Sequence, residues 1–148
     1  MLQPNGKCAH RGLVMIRRPA PSQLSWRTQI AGEDEPGRSL IVSGGVLASD
    51  GKTSAAGVTV YAYNTDVQGY YGKNHAEFPQ RLYGWMKTDA DGRFELLTIL
   101  PGIVPWNARS GAHALFTMGG AGYPLQWVED PDISAVGPRR RWRAALQL

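Results

Sequence analysis

Short apolar runs separated by glycine, proline and Asp-Gly turns, with no long amphipathic helical pattern between them, constrain this chain more than any other feature. Val58 to Tyr63 reads VTVYAY, which sets Val58, Val60 and Ala62 on one face and Thr59, Tyr61 and Tyr63 on the other. That is the period-two signature of a strand. Ser39 to Ala48, Tyr83 to Thr88, Arg93 to Leu100 and His113 to Met118 read as further strands. Arg140 to Leu148 closes the series with Trp142, Ala144, Leu146 and Leu148 on one side. Asp50-Gly51 marks a hairpin turn, and Asp89-Ala90-Asp91-Gly92 is expected to join its flanking runs as a second hairpin. Gly44-Gly45, inside the first run, predicts a bulge or a close backbone approach. The 18 glycines and 10 prolines among 148 residues fit many turns and short strands and argue against a helical bundle. The expected class is all-β, a β-sandwich.

Residues 1–37 hold four prolines and no sustained period, so they read as an irregular N-terminal arm ending in the acidic turn Gly32-Glu33-Asp34-Glu35-Pro36-Gly37. Residues 38–148 form the sandwich domain, a single unit at this length. Asn64 to Leu82 is too long for an ordinary connection, which implies that the loop has a task.

The formal charge of +4 is unevenly placed. Residues 1–27 carry five bases and no acid, residues 138–148 carry four arginines, and the stretch between holds seven bases against twelve acids. A nucleic-acid binder spreads basic and aromatic residues over its folded face; here the folded middle is acidic, and nucleic acid is not expected as a partner. No apolar run reaches the length of a membrane span. The opening MLQPNGKCAHRGL lacks the apolar core of a signal peptide, which gives a cytoplasmic expectation. A single cysteine, Cys8, rules out an intrachain disulfide, and with His10 it makes only a weak metal pair. No G-x-S-x-G, H-E-x-x-H or phosphate-loop lysine motif is present.

The informative wording lies between residues 40 and 132. It includes Gly69-Tyr70-Tyr71, then Arg81-Leu82-Tyr83-Gly84-Trp85-Met86-Lys87-Thr88-Asp89-Ala90-Asp91-Gly92-Arg93-Phe94, then Thr98-Ile99-Leu100-Pro101, then Ala112-His113. In order and spacing this resembles the intradiol ring-cleavage dioxygenases, the catechol and protocatechuate 3,4-dioxygenase family. The resemblance implies a β-sandwich and an aromatic or phenolic small molecule as substrate. It also implies a non-haem Fe(III) held by two tyrosinates and two histidines, hard donors suited to that ion.

Carried over position by position, the resemblance puts the first tyrosine on Tyr71 and the first histidine on His113. The second tyrosine falls on Val104 and the second histidine on Leu115. An arginine expected three residues before the first histidine falls on Ser110, with Arg109 adjacent. The candidate catalytic residues are therefore Tyr71, His113 and Arg109, with Tyr71 and His113 also the two remnant metal ligands. Tyr70, Tyr83, Trp106, Val104 and Leu115 are expected to line the substrate. No cofactor is expected, and Fe(III) returns only if substitutes such as Tyr70, His75, Tyr83 or Tyr123 complete its sphere. Three readings follow. One is an iron-free protein whose Tyr71 and His113 carry acid–base chemistry on an aromatic molecule. The others are a ring-cleaving dioxygenase with substituted ligands and a non-catalytic binding or partner subunit, with a homo-oligomer admitted.

Overall fold

Eight strands follow one another in the computed structural model, which describes residues 20–76, 79–106, 112–120, 123–129 and 141–148. They are β1 (Arg27–Gln29), β2 (Ser39–Leu47), β3 (Thr59–Asn64), β4 (Leu82–Lys87), β5 (Arg93–Ile99), β6 (Ala114–Gly120), β7 (Tyr123–Glu129) and β8 (Arg141–Gln147). One sheet has the order β1-β5-β2-β8 and the other β4-β3-β6-β7. The chain is an all-β sandwich, as its strand pattern predicts. No helix among the described residues is long and apolar enough to cross a membrane.

Alternation builds the core between the sheets. Val58, Val60 and Ala62 face inward with Val42 and Val46 of β2, Met86 of β4, and Phe116 and Met118 of β6. Phe94 of β5 and Phe116 of β6 bring their rings to 5.6 Å at a 55° tilt, bridging the two sheets. Leu146 and Leu148, from the expected apolar face of the last strand, are buried in the same core. The side chains of Trp142 and Ala144 lie outside the described set.

Two local expectations fail, each for a traceable reason. Asp89 to Gly92 is not the tip of a hairpin: β4 pairs with β3 and β5 pairs with β2, in different sheets. The turn is pinned to β2, because the Val46 N–H donates to the Gly92 carbonyl at 2.8 Å and Gly92 takes a φ of +72° against that strand. The chain therefore leaves the turn along β2 and crosses the sandwich. Gly44-Gly45 forms no bulge either. The ladders to β5 and β8 run through both residues without a register shift, and a Cβ on Gly45 would meet nothing closer than 3.8 Å.

Within the N-terminal stretch, β1 runs parallel to β5 as an edge strand. The long segment between β3 and β4 carries one 3-10 turn among its described residues, Lys73–His75, and is fastened where it leaves β3. Thr98 Oγ donates to Asn64 Oδ1 at 2.7 Å, and Thr65 Oγ donates to the Gly102 carbonyl at 2.7 Å.

Candidate functional site

The same alternation that builds the core leaves a second apolar cluster on the outer face of the β4-β3-β6-β7 sheet. Tyr61 and Tyr63 of β3 stand opposite Trp85 and Tyr83 of β4, and opposite Thr117 and Leu115 of β6. Ala112 and Ala114 belong to the sandwich core, so the intervening His113, with Leu115 beyond it, falls on the outer side. Two loops cover this face. The segment after β3 supplies Tyr71, and the segment after β5 supplies Val104. Tyr61, Tyr63, Tyr71, Val104 and Leu115 pack as one buried cluster with Trp85 against its edge.

Tyr71 and His113 meet in it, 42 residues apart in the chain. Tyr71 Oη lies 3.3 Å from His113 Nε2, with Tyr71 4% and His113 8% exposed. The imidazole tautomer sets the direction. Either the phenol donates to a bare Nε2, or Nε2–H donates to the phenolic oxygen. The Tyr63 ring centroid stands 5.5 Å from that of Tyr71, and Tyr61 stands 5.9 Å from Tyr63 and 4.7 Å from Trp85. Val104 and Leu115 are as buried as Tyr71, at 4% and 3% exposed. Tyr71, His113, Val104 and Leu115, the four positions on which the resemblance sets its ligand expectations, thus share one site, two of them with hydrocarbon side chains.

Backbone geometry explains how the loops come together. Asp66 organises the first: its carboxylate accepts from the Gln68 and Tyr70 N–H groups at 2.9 and 3.1 Å, and its carbonyl accepts from Gly69 and Gly102 at 3.0 and 2.8 Å. Gly69 takes a φ of +91°, and a Cβ there would lie 2.1 Å from the Ile103 carbonyl oxygen. Only glycine permits this contact between the Tyr71 and Val104 loops.

A charged clamp holds the same loop to the N-terminal stretch. Arg81 donates two hydrogen bonds to the Glu35 carboxylate, at 2.6 and 2.5 Å, with Asp66 at 3.7 Å. The Arg81 backbone N–H donates to the Tyr71 carbonyl at 2.8 Å. The hydrogen bonds from Arg81 hold the Glu35 carboxyl below its ordinary value of 4.5, and the Glu35 carboxylate holds the guanidinium pKa up. Sequence reasoning missed this pair, since 46 residues separate its members and nothing in the acidic turn that holds Glu35 or in the motif that opens on Arg81 points to the other.

The remaining predicted residues ring the cluster. Tyr70 is half-buried and stacks on His75, with ring centroids 3.8 Å apart and planes within 13°. Trp106, 54% exposed, stands 6.3 Å from Tyr70. Tyr83 is exposed on the sheet face, 5.9 Å from Tyr61. Arg109 lies outside the described residues, as does the Tyr123 side chain. No group of three or more His, Cys, Asp or Glu side chains gathers among the described residues.

A family model described as Dioxygenase matches residues 12–124. No curated protein sequence matches the chain. Among solved structures, the chain is similar to the dioxygenase domain of a dioxygenase–carbohydrate-binding protein fusion from Streptomyces sp. SirexAA-E. The two are 22% identical with a TM-score of 0.67, covering 90% of this chain and 94% of that one. It is also similar to an Acinetobacter catechol 1,2-dioxygenase at 16% identity and a TM-score of 0.67; 88% of this chain aligns with only 58% of that enzyme. An intradiol ring-cleavage dioxygenase from Tetranychus urticae aligns over 88% of both chains at 15% identity and a TM-score of 0.62.

Proposed function

The chain belongs to the intradiol dioxygenase family, and on that premise we propose that it binds and acts on a catechol-type or other phenolic molecule without the family's ferric ion, using Tyr71 and His113 as a proton-transfer pair. The observation that carries this reading is the Tyr71–His113 contact, made beside Val104 and Leu115 in one buried cluster. A ferric site needs several oxygen and nitrogen donors. At the four positions that the resemblance assigns to ligands, the chain offers one phenol and one imidazole, already within reach of each other, and two hydrocarbon side chains. That donor set does not fit the ion.

The pair's chemistry follows from its two atoms. A phenolic substrate whose hydroxyl meets Tyr71 Oη passes its proton inward. The substrate O–H bond breaks as Tyr71 gains that proton and yields its own to His113 Nε2. The products are a substrate phenolate and an imidazolium, and the reverse transfer returns the proton. His113 holds the proton away from water because it is buried. Tyr61, Tyr63 and Leu115 supply a wall suited to an aromatic ring. Tyr70, Tyr83 and Trp106 stand at the rim, and Val104 closes the loop side.

Catechol titrated into protein kept with a strong iron chelator tests the reading. Binding should persist without iron, and Tyr71→Phe and His113→Gln should each weaken it by roughly tenfold, the factor for one lost hydrogen bond in a buried site. Binding that appears only when ferric iron is added would replace this reading with the iron-dependent one. Binding unchanged in both variants would leave a plain binding module.

A further inference from the structure

The Tyr70–His75 stack sits at the rim of the proposed site and is an unusual use of a histidine. His75 and its neighbour Asn74 both hold positive φ, +64° and +52°, and among the described residues they are the only non-glycine residues that do. Neither is buried, and among the described residues neither side chain makes a hydrogen bond, so no core requirement imposes that backbone. Left-handed backbone outside glycine is disfavoured and persists where something else rewards it. Here a tight turn supplies that reward. The Ala76 N–H donates to the Lys73 carbonyl at 3.0 Å and the Gly72 N–H to the Ala76 carbonyl at 2.9 Å, across Asn74 and His75. The turn lays an exposed imidazole flat on the Tyr70 face, 3.8 Å between centroids and 13° between planes.

From this we infer that the Tyr70 face is a subsite for a planar aromatic ring, that His75 occupies it in the free protein, and that a ligand ring takes its place. The inference rests on the aromatic-ligand reading above and extends it, since a molecule reaching both this face and Tyr71 carries more than a single ring. The imidazole shows that the face accepts a flat ring in parallel contact. Trp106, more than half exposed and 6.3 Å from Tyr70 at 45°, forms the second wall. Val67 and Ile103, both exposed, lie on the loops that Gly69 and Gly102 bring into backbone contact. The exposed Lys73–His75 turn is the movable part: His75 leaves the Tyr70 face and the ligand restores the lost stack.

The test is the sign of one substitution. With 2-naphthol as probe, His75→Ala removes the competing ring and should tighten binding about two- to tenfold, the factor that one aromatic pair corresponds to. His75→Gly, which also removes the strain at positive φ, should tighten it as much and guards against a folding defect in the first variant. Trp106→Ala should weaken binding by a similar factor, and the Trp106 indole N–H resonance should shift when 2-naphthol is added. Equal or weaker binding in both His75 variants, or an unmoved Trp106 resonance, overturns the subsite. The Tyr71→Phe arm separates the two proposals. If 2-naphthol binds Tyr71→Phe as tightly as the parent while His75→Ala still tightens it, the subsite stands and the proton-transfer reading falls.

Discussion

Replacing Arg81 by methionine removes the guanidinium while keeping most of the side chain's length, and so isolates the clamp on the Tyr71 loop. Arg81 donates two charge-assisted hydrogen bonds to Glu35, whose side chain is only 11% exposed. Each such bond contributes about 1.5–3 kcal/mol net. The two share one carboxylate, and Arg81 itself is 31% exposed, so they do not add fully. A total of about 2–3 kcal/mol is expected, which for a domain of this size lowers the melting temperature by about 4–12 °C. The effect has a pH signature. Glu35 is held below 4.5 in the folded chain, so its contribution is present above its unfolded value and is lost as pH falls through the lowered folded value. The melting difference between Arg81→Met and the parent should therefore be full at pH 7 and shrink as acid protonates Glu35. Scanning calorimetry across that range, with Glu35→Gln and the double variant completing a cycle, measures the coupling. A melting temperature unchanged at pH 7, or a deficit that does not shrink in acid, would refute the clamp.

Other consequences are as direct. Gly69→Ala places a Cβ 2.1 Å from the Ile103 carbonyl oxygen at a φ of +91° and should cost more than about 3 kcal/mol, while Gly32→Ala, with nothing within 4 Å, should stay within about 0.5 kcal/mol; chemical denaturation compares them. Deleting residues 141–148 removes β8 from its seven-residue ladder with β2 and strips Leu146 and Leu148 from the core, so the truncated chain should lose soluble expression or melt far lower. Val104→Tyr with Leu115→His restores an oxygen and a nitrogen donor beside Tyr71 and His113, and should raise bound iron in elemental analysis above that of the parent.

Much of the fold is legible because period-two alternation is a local signal. VTVYAY sets Val60 and Ala62 on one face and Tyr61 and Tyr63 on the other, and the fold keeps that division, with the first pair in the core and the second in the outer cluster. What alternation cannot carry is partnership. The Asp89 to Gly92 turn reads as a hairpin because its residues favour one, yet its hydrogen bond to Val46 sends β5 to the opposite sheet. The three residues of β1 are too few to show a period. At the site, Tyr71, Val104, His113 and Leu115 were found through motif resemblance, since nothing in composition links positions so far apart. No sequence signal links Glu35 to Arg81, and only the folded chain reveals the pair.

The central claim is that this sandwich has kept the place of a ferric site without the donors to hold the ion. Elemental analysis of protein expressed with added iron, read together with its visible spectrum, tests it most directly. The account predicts iron well below one atom per chain and no tyrosinate-to-iron charge-transfer band. One iron per chain with a strong visible band, lost in Tyr71→Phe, would contradict it.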